Sequence, residues 1–100
     1  MKEDYRVYYE KFISEWGVES QFVVAMEEMS ELTKELCKYR RNEILKKDNT
    51  ETIKNIKEEI ADVLNMVEQL ENMFGEEEIE KIRQTKLKRA IKRMKEVKNG

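Results

Sequence analysis

A chain of 100 residues with 39% apolar and 42% charged side chains and no proline suits one compact domain, residues 1–100, and excludes a large multidomain enzyme. The absence of histidine removes imidazole bases, imidazole metal ligands and every Ser-His or Cys-His nucleophile, so any catalysis falls to carboxylates, lysine or arginine. The single cysteine, Cys37, closes no internal disulfide, no basic apolar leader opens the chain, and the expected compartment is a reducing cytoplasm.

Apolar residues recur at intervals of three and four between breaks at Trp16-Gly17, Lys47-Asp48-Asn49-Thr50 and Gly75, a spacing that predicts four helices and an all-α fold. The first, over about 3–15, carries Tyr5, Tyr8, Tyr9, Phe12 and Ile13 and ends at Gly17. The second, over about 19–46, takes Ser20 as its cap and shows Phe22, Ala25, Met26, Met29, Leu32, Leu36 and Tyr39 as its core stripe. The third, over about 51–74, takes Thr50 as cap and runs through Ile53, Ile56, Ile60, Val63, Met66, Val67, Leu70 and Met73. The fourth, over about 76–98, opens on three glutamates and closes on lysines, an order that complements the helix dipole. No apolar run reaches the roughly 20 residues of a membrane span.

The net charge of −2 conceals an asymmetry. Residues 1–80 sum to −10, whereas residues 81–100 sum to +8, with nine lysines or arginines against Glu96 alone. An acidic body and a basic tail could together enclose a polyphosphate bound through a divalent cation. Helix 2 places Glu28 and Glu31 at i,i+3 with Glu35 a turn further on, and helix 3 repeats the spacing in Glu59 and Asp62. Like charges so placed weaken a helix unless a cation lies between them, and oxygen-only donors suit Mg²⁺ or Mn²⁺. By spacing alone the solvated acidic face stays open as the commoner alternative, because EExxE arises readily in a glutamate-rich chain.

Trp16-Gly17, Gln21, Glu27-Glu28-Met29-Ser30-Glu31-Leu32 and, with 27 residues between Glu31 and Glu59, Glu59-Ile60-Ala61-Asp62-Val63-Leu64 together resemble the MazG-like nucleoside triphosphate pyrophosphohydrolases, over about Trp16 to Met94. Their signature is EExxE followed by ExxD. The resemblance implies a four-helix bundle working as a homodimer or tetramer, with Mg²⁺ as cofactor and a nucleoside triphosphate split into monophosphate and pyrophosphate. By position it makes Glu28, Glu31, Glu59 and Asp62 the metal ligands and Glu27 the residue that orients or deprotonates the attacking water. It also makes Lys86 and Arg89 the phosphate-holding pair, although Thr85 stands where an asparagine often precedes that lysine.

Asn65, a turn beyond Asp62, is a candidate for a substrate sugar, and Trp16 and Tyr39 for stacking on a base, each with a plain polar or core role as the alternative. A hundred residues cannot cover both sides of two long helices, so Val23, Val24 and Leu64 are expected to seek a second chain. Two other functions stay in view: phosphoribosyl-ATP pyrophosphohydrolysis, and a non-enzymatic helical module whose basic last helix binds nucleic acid or protein. Against nucleic acid stand the acidic body and the lack of interleaved aromatics.

Overall fold

A computed structural model describes residues 3–99. Four helices follow one another, α1 (Arg6–Trp16), α2 (Val18–Ile44), α3 (Thr50–Phe74) and α4 (Glu76–Asn99), and the described residues contain no strand. No helix among them is long and apolar enough to cross a membrane. The chain divides into two compact units, Met1–Leu70 and Glu71–Gly100.

The helix boundaries have local causes. α1 starts at Arg6 rather than residue 3, because the Asp4 carboxylate takes the Arg6 backbone N–H at 3.0 Å and its guanidinium at 2.6–3.1 Å, an arrangement that stops the helix from extending backwards. That guanidinium holds the Asp4 carboxyl down at about 2. Gly17, at φ 88°, ends α1 with its N–H on the Ile13 carbonyl at 2.8 Å and is also the N-cap of α2. Space around it is open, so glycine is required by the dihedral and not by crowding. The expected cap Ser20 is instead inside α2. The expected cap Thr50 is the first residue of α3, where Asp48 accepts its backbone N–H at 3.1 Å and its hydroxyl at 2.7 Å.

α2 closes in a Schellman arrangement, with Lys46 N–H on the Glu43 carbonyl at 3.2 Å and Lys47 N–H on the Asn42 carbonyl at 2.8 Å. The left-handed position, φ 56°, falls to Lys46, where helices favour glycine. Lys46→Gly is therefore expected to raise stability by about 1 kcal/mol. The check is a urea titration whose midpoint moves up with its slope unchanged. The buried Asn49 locks the turn, donating from Nδ2 to the Tyr39 carbonyl at 3.1 Å and to Glu43 at 2.9 Å while accepting from Asn42 at 3.0 Å.

In the first unit, Tyr9, Ala25 and Met66 are the buried apolar residues, and the Tyr9 hydroxyl donates to the Glu68 carboxylate. Burial and that carboxylate push the phenol up to about 12. The expected core stripe of α2 is corrected in part here: Ala25 is buried and Phe22 and Leu32 are half-buried, while its other members face solvent. Met26, Met29 and Leu36 are 58%, 40% and 50% exposed, as are Ile53, Ile60 and Leu64 of α3 at 40–57%. The row α2 withdraws from solvent shares Ala25 and Leu32 with that stripe and adds Gln21, Glu28, Glu35 and Asn42, and α3 answers with Ile56, Val63 and Met66 of its expected stripe together with Thr52, Glu59 and Gln69. Both rows step by three and four residues, so each is one helix face. Polar groups thus occupy the seam between α2 and α3, and a band of large apolar residues is left outside it.

In the second unit, Gly75 at φ 113° separates α3 from α4, its N–H on the Glu71 carbonyl at 2.9 Å. Glu76, Glu77 and Glu78 occupy the first turn of α4 and Lys98 its last, as the dipole favours. Every described side chain from Glu80 to Lys98 is exposed.

Candidate metal centre

The polar groups of the α2–α3 seam fall into three layers. At one end Gln69 Nε2 donates to Gln21 Oε1 at 3.1 Å, and at the other Asn42 Nδ2 donates to Thr52 Oγ1 at 3.4 Å. Between them Glu28 meets Glu59 and Asp62, one carboxylate oxygen from each lying within 4.8 Å of the others. The helical register explains the meeting. Asp62 follows Glu59 by three residues and so lies on the same side of α3, while Glu28 is the α2 residue seven positions beyond Gln21.

Three carboxylates this close are electrostatically unfavourable by themselves. Burial, then the Asp62 charge and a hydrogen bond with Asp62, and then Glu59 and Glu31, raise the Glu28 carboxyl above its usual range. Glu59 is raised by burial, then by the charges of Asp62, Glu31, Glu35 and Glu58. Glu59 Oε2 and Glu35 Oε2 are buried with no hydrogen-bond partner. A lone pair withdrawn from water without a donor costs free energy that a cation would recover.

The donor set fits a hard divalent cation. Ligand oxygens around one octahedral Mg²⁺ sit about 3–4 Å apart, and separations of up to 4.8 Å reach that by small side-chain rotations. All donors are carboxylate oxygens, which suits Mg²⁺ or Mn²⁺ and not a soft metal.

The sequence-derived residues distribute unevenly over this geometry. Glu28, Glu59 and Asp62 come together. Glu31 is exposed and acts on Glu28 and Glu59 through its charge, and Glu27 is exposed on the same turn. Lys86 and Arg89 are exposed on α4 in the second unit, where the Thr85 hydroxyl is spent on the Lys81 carbonyl at 3.0 Å.

Trp16 and Asn65 line a cavity of about 840 Å³ in the first unit. Its α1 side is aromatic, with Tyr8, Phe12 and Trp16, and its other side comes from Gln21, Val24, Met66 and Gln69. Phe12 and Trp16 stack with ring centroids 5.0 Å apart and planes 13° from parallel. Tyr39, the other stacking candidate, is not part of this lining.

Glu35, Gln21 and Gln69 are the residues to which the sequence alone gave no role. The signal was present in their spacing: Gln21, Glu28 and Glu35 are seven apart, as are Asp62 and Gln69, which puts each set on one helix face. Compared with family models, curated proteins and solved structures, the chain matches none.

Proposed function

We propose that this chain is a Mg²⁺-dependent nucleoside triphosphate pyrophosphohydrolase of the MazG-like kind, hydrolysing (d)NTP to (d)NMP and pyrophosphate by attack of water at the α-phosphorus. The observation that carries the reading is the convergence of Glu28, Glu59 and Asp62 from two helices, with a partnerless buried oxygen on Glu59. Glu28, Glu59 and Asp62 would hold the cation, with Glu31 joining from the next turn of α2. Bound there, Mg²⁺ or Mn²⁺ would offset charge on the phosphate oxygens and acidify the attacking water.

The chain's own groups supply the rest. Glu27, exposed beside Glu28, is free to accept the water proton, a role open to a carboxylate when no histidine is present. Asn65 and Trp16 line the cavity whose α3 wall begins one turn past Asp62, the place for the sugar and base of a nucleotide held by its phosphates at the carboxylates. Lys86 and Arg89 complete the reading as the pair for the β- and γ-phosphates, whose negative charge suits cationic donors. The exposed band of Met26, Met29, Leu36, Ile60 and Leu64 supports a four-helix bundle assembled as a homodimer or tetramer, since so much large apolar surface rarely stays in water.

The direct test is pyrophosphate release from a panel of ribo- and deoxynucleoside triphosphates. Release with Mg²⁺, none with EDTA, and monophosphate as co-product are the expected results. No release from any triphosphate would overturn the reading. Weight would then move to phosphoribosyl-ATP, or to α4 as a binding helix for phosphate-bearing polymers, which the full exposure of its basic side chains favours.

A further inference from the structure

Gln21 and Gln69 are 5% and 3% exposed, and both line the aromatic cavity. Their mutual hydrogen bond uses one N–H of Gln69 and the Gln21 oxygen. Two amides carry four N–H donors and two oxygens, so that bond leaves the Gln21 amino group and the Gln69 oxygen over, a donor beside an acceptor. Neither is among the buried side-chain atoms without a partner, which among the described residues are on Glu35 and Glu59. An occupant of the cavity that both residues line can meet them.

The register says what that occupant is. Seven residues separate Gln21 from Glu28 on α2, and seven separate Asp62 from Gln69 on α3. The amide pair and the carboxylates therefore share one interhelical face, about 10 Å apart along the helix axis. That is the span of a nucleotide from its 5′-phosphorus to the hydrogen-bonding edge of its base. Tyr8 and Trp16, 51% and 57% exposed, line the same cavity; Phe12 stacks on one face of Trp16 and Lys11 lies over one face of Tyr8, and a base can stack on the other faces.

We propose that the Gln21–Gln69 amide pair reads the hydrogen-bonding edge of a nucleobase stacked against α1, and that the pair inverts as a unit, so that amino and oxo bases are accepted alike. The inference deepens the pyrophosphohydrolase reading, on which it rests for the class of ligand. Turning both amides by 180° keeps one hydrogen bond between them, now from Gln21 Nε2 to Gln69 Oε1, and exchanges the offered donor and acceptor. Cytosine presents a ring acceptor beside an amino donor, and uracil a ring donor beside a carbonyl acceptor. In one pose each base pairs with one state of the amides, and the internal bond is the same in both.

The test uses uncharged nucleosides, so that it needs neither metal nor turnover. Cytidine and uridine are titrated in EDTA against the full chain, with the fluorescence of its single tryptophan, Trp16, and calorimetry as readouts. The wild type is expected to bind the two within about threefold of each other. Gln69→Glu and Gln21→Glu each keep a bond between the two positions but leave only acceptors facing the cavity, so either variant loses one of the two contacts to each base. Both variants are expected to bind both nucleosides about tenfold more weakly.

A tenfold preference in the wild type, an unchanged affinity in either variant, or no binding of either nucleoside by the wild type would each overturn the proposal. Because a carboxylate at a buried position can unfold the chain, the wild type is also examined by side-chain amide NMR. Cytidine and uridine should move the Gln21 and Gln69 Nε2 signals in opposite senses, and immobile signals would refute the proposal. Weakened binding in both variants without any pyrophosphate release would remove the hydrolase reading and keep the base reader. Release combined with variants of unchanged affinity would do the reverse.

Discussion

Glu59→Gln is expected to abolish Mg²⁺-dependent turnover, by about 10³-fold or more, while leaving helix content unchanged. The magnitude follows from the cation's share of the barrier: several kcal/mol of charge stabilisation depart with it, and each 1.4 kcal/mol is a factor of ten. Glu59 is the sensitive position because one of its oxygens is buried without a partner and its carboxyl feels Asp62, Glu31, Glu35 and Glu58. The same substitution should make the metal-free protein more stable near neutral pH, since it deletes an ion that burial and neighbouring carboxylates disfavour. Opposite effects on turnover and stability separate a ligand from a structural residue. Glu58→Gln, on the exposed side of the same turn, is the control: it should leave turnover unchanged and raise stability by less, because Glu58 acts on Glu59 only through its charge. Activity retained by Glu59→Gln would refute the site.

Mg²⁺ is expected to raise the melting midpoint at pH 8 and to lose that effect as the pH falls. Glu28 and Glu59 have carboxyls raised above 4.5 in the folded chain, so the native state holds these protons more tightly than the unfolded state. The stability they contribute is then fully present below the unfolded value near 4.5 and is lost as pH rises through the raised folded values. Without metal, the midpoint should therefore fall as the pH rises above about 4.5. With Mg²⁺ at a hundred times its dissociation constant, mass action returns about 2.7 kcal/mol, roughly 10 °C or more for a chain of this size. Protonation competes with the cation, so the gain fades toward pH 4.5. Asp4 and Asp48 carry the opposite sign, being held low by Arg6 and by Thr50, and they cost stability only as the pH drops below 3.8. Their window lies under that of the glutamates and does not mask it. A midpoint unmoved by Mg²⁺ at pH 8 would count against a cation at this place.

The candidate carboxylates were legible in the chain because a helix repeats every 3.6 residues, and Glu28, Glu59 and Asp62 could be put on helix faces by counting. Counting did not reveal Gln21 and Gln69 as a pair. Gln21 stood in the stretch that carries the resemblance but without a role, because glutamine brings no charge pattern and its partner stands 48 residues away on another helix. Glu35 was counted with Glu28 and Glu31, but its buried oxygen is a consequence of α3 lying against it, not of its neighbours in sequence.

The sequence by itself determined the all-α class, four helices within a few residues of their ends, and the stops at Gly17 and Gly75, because periodicity and a required positive φ are local properties. Caps were less secure, since Ser20 and Thr50 compete with Gly17 and Asp48 for donors that only the final backbone path brings within reach. The tertiary structure alone decided which face of α2 and α3 meets the other. Met26, Met29 and Leu36 recur with much the same period as Gln21, Glu28 and Glu35, the two rows lying side by side on one helix. A period names a helix and not the side it buries. Pairing across the seam chose the polar row, and with it the place where carboxylates from distant segments converge.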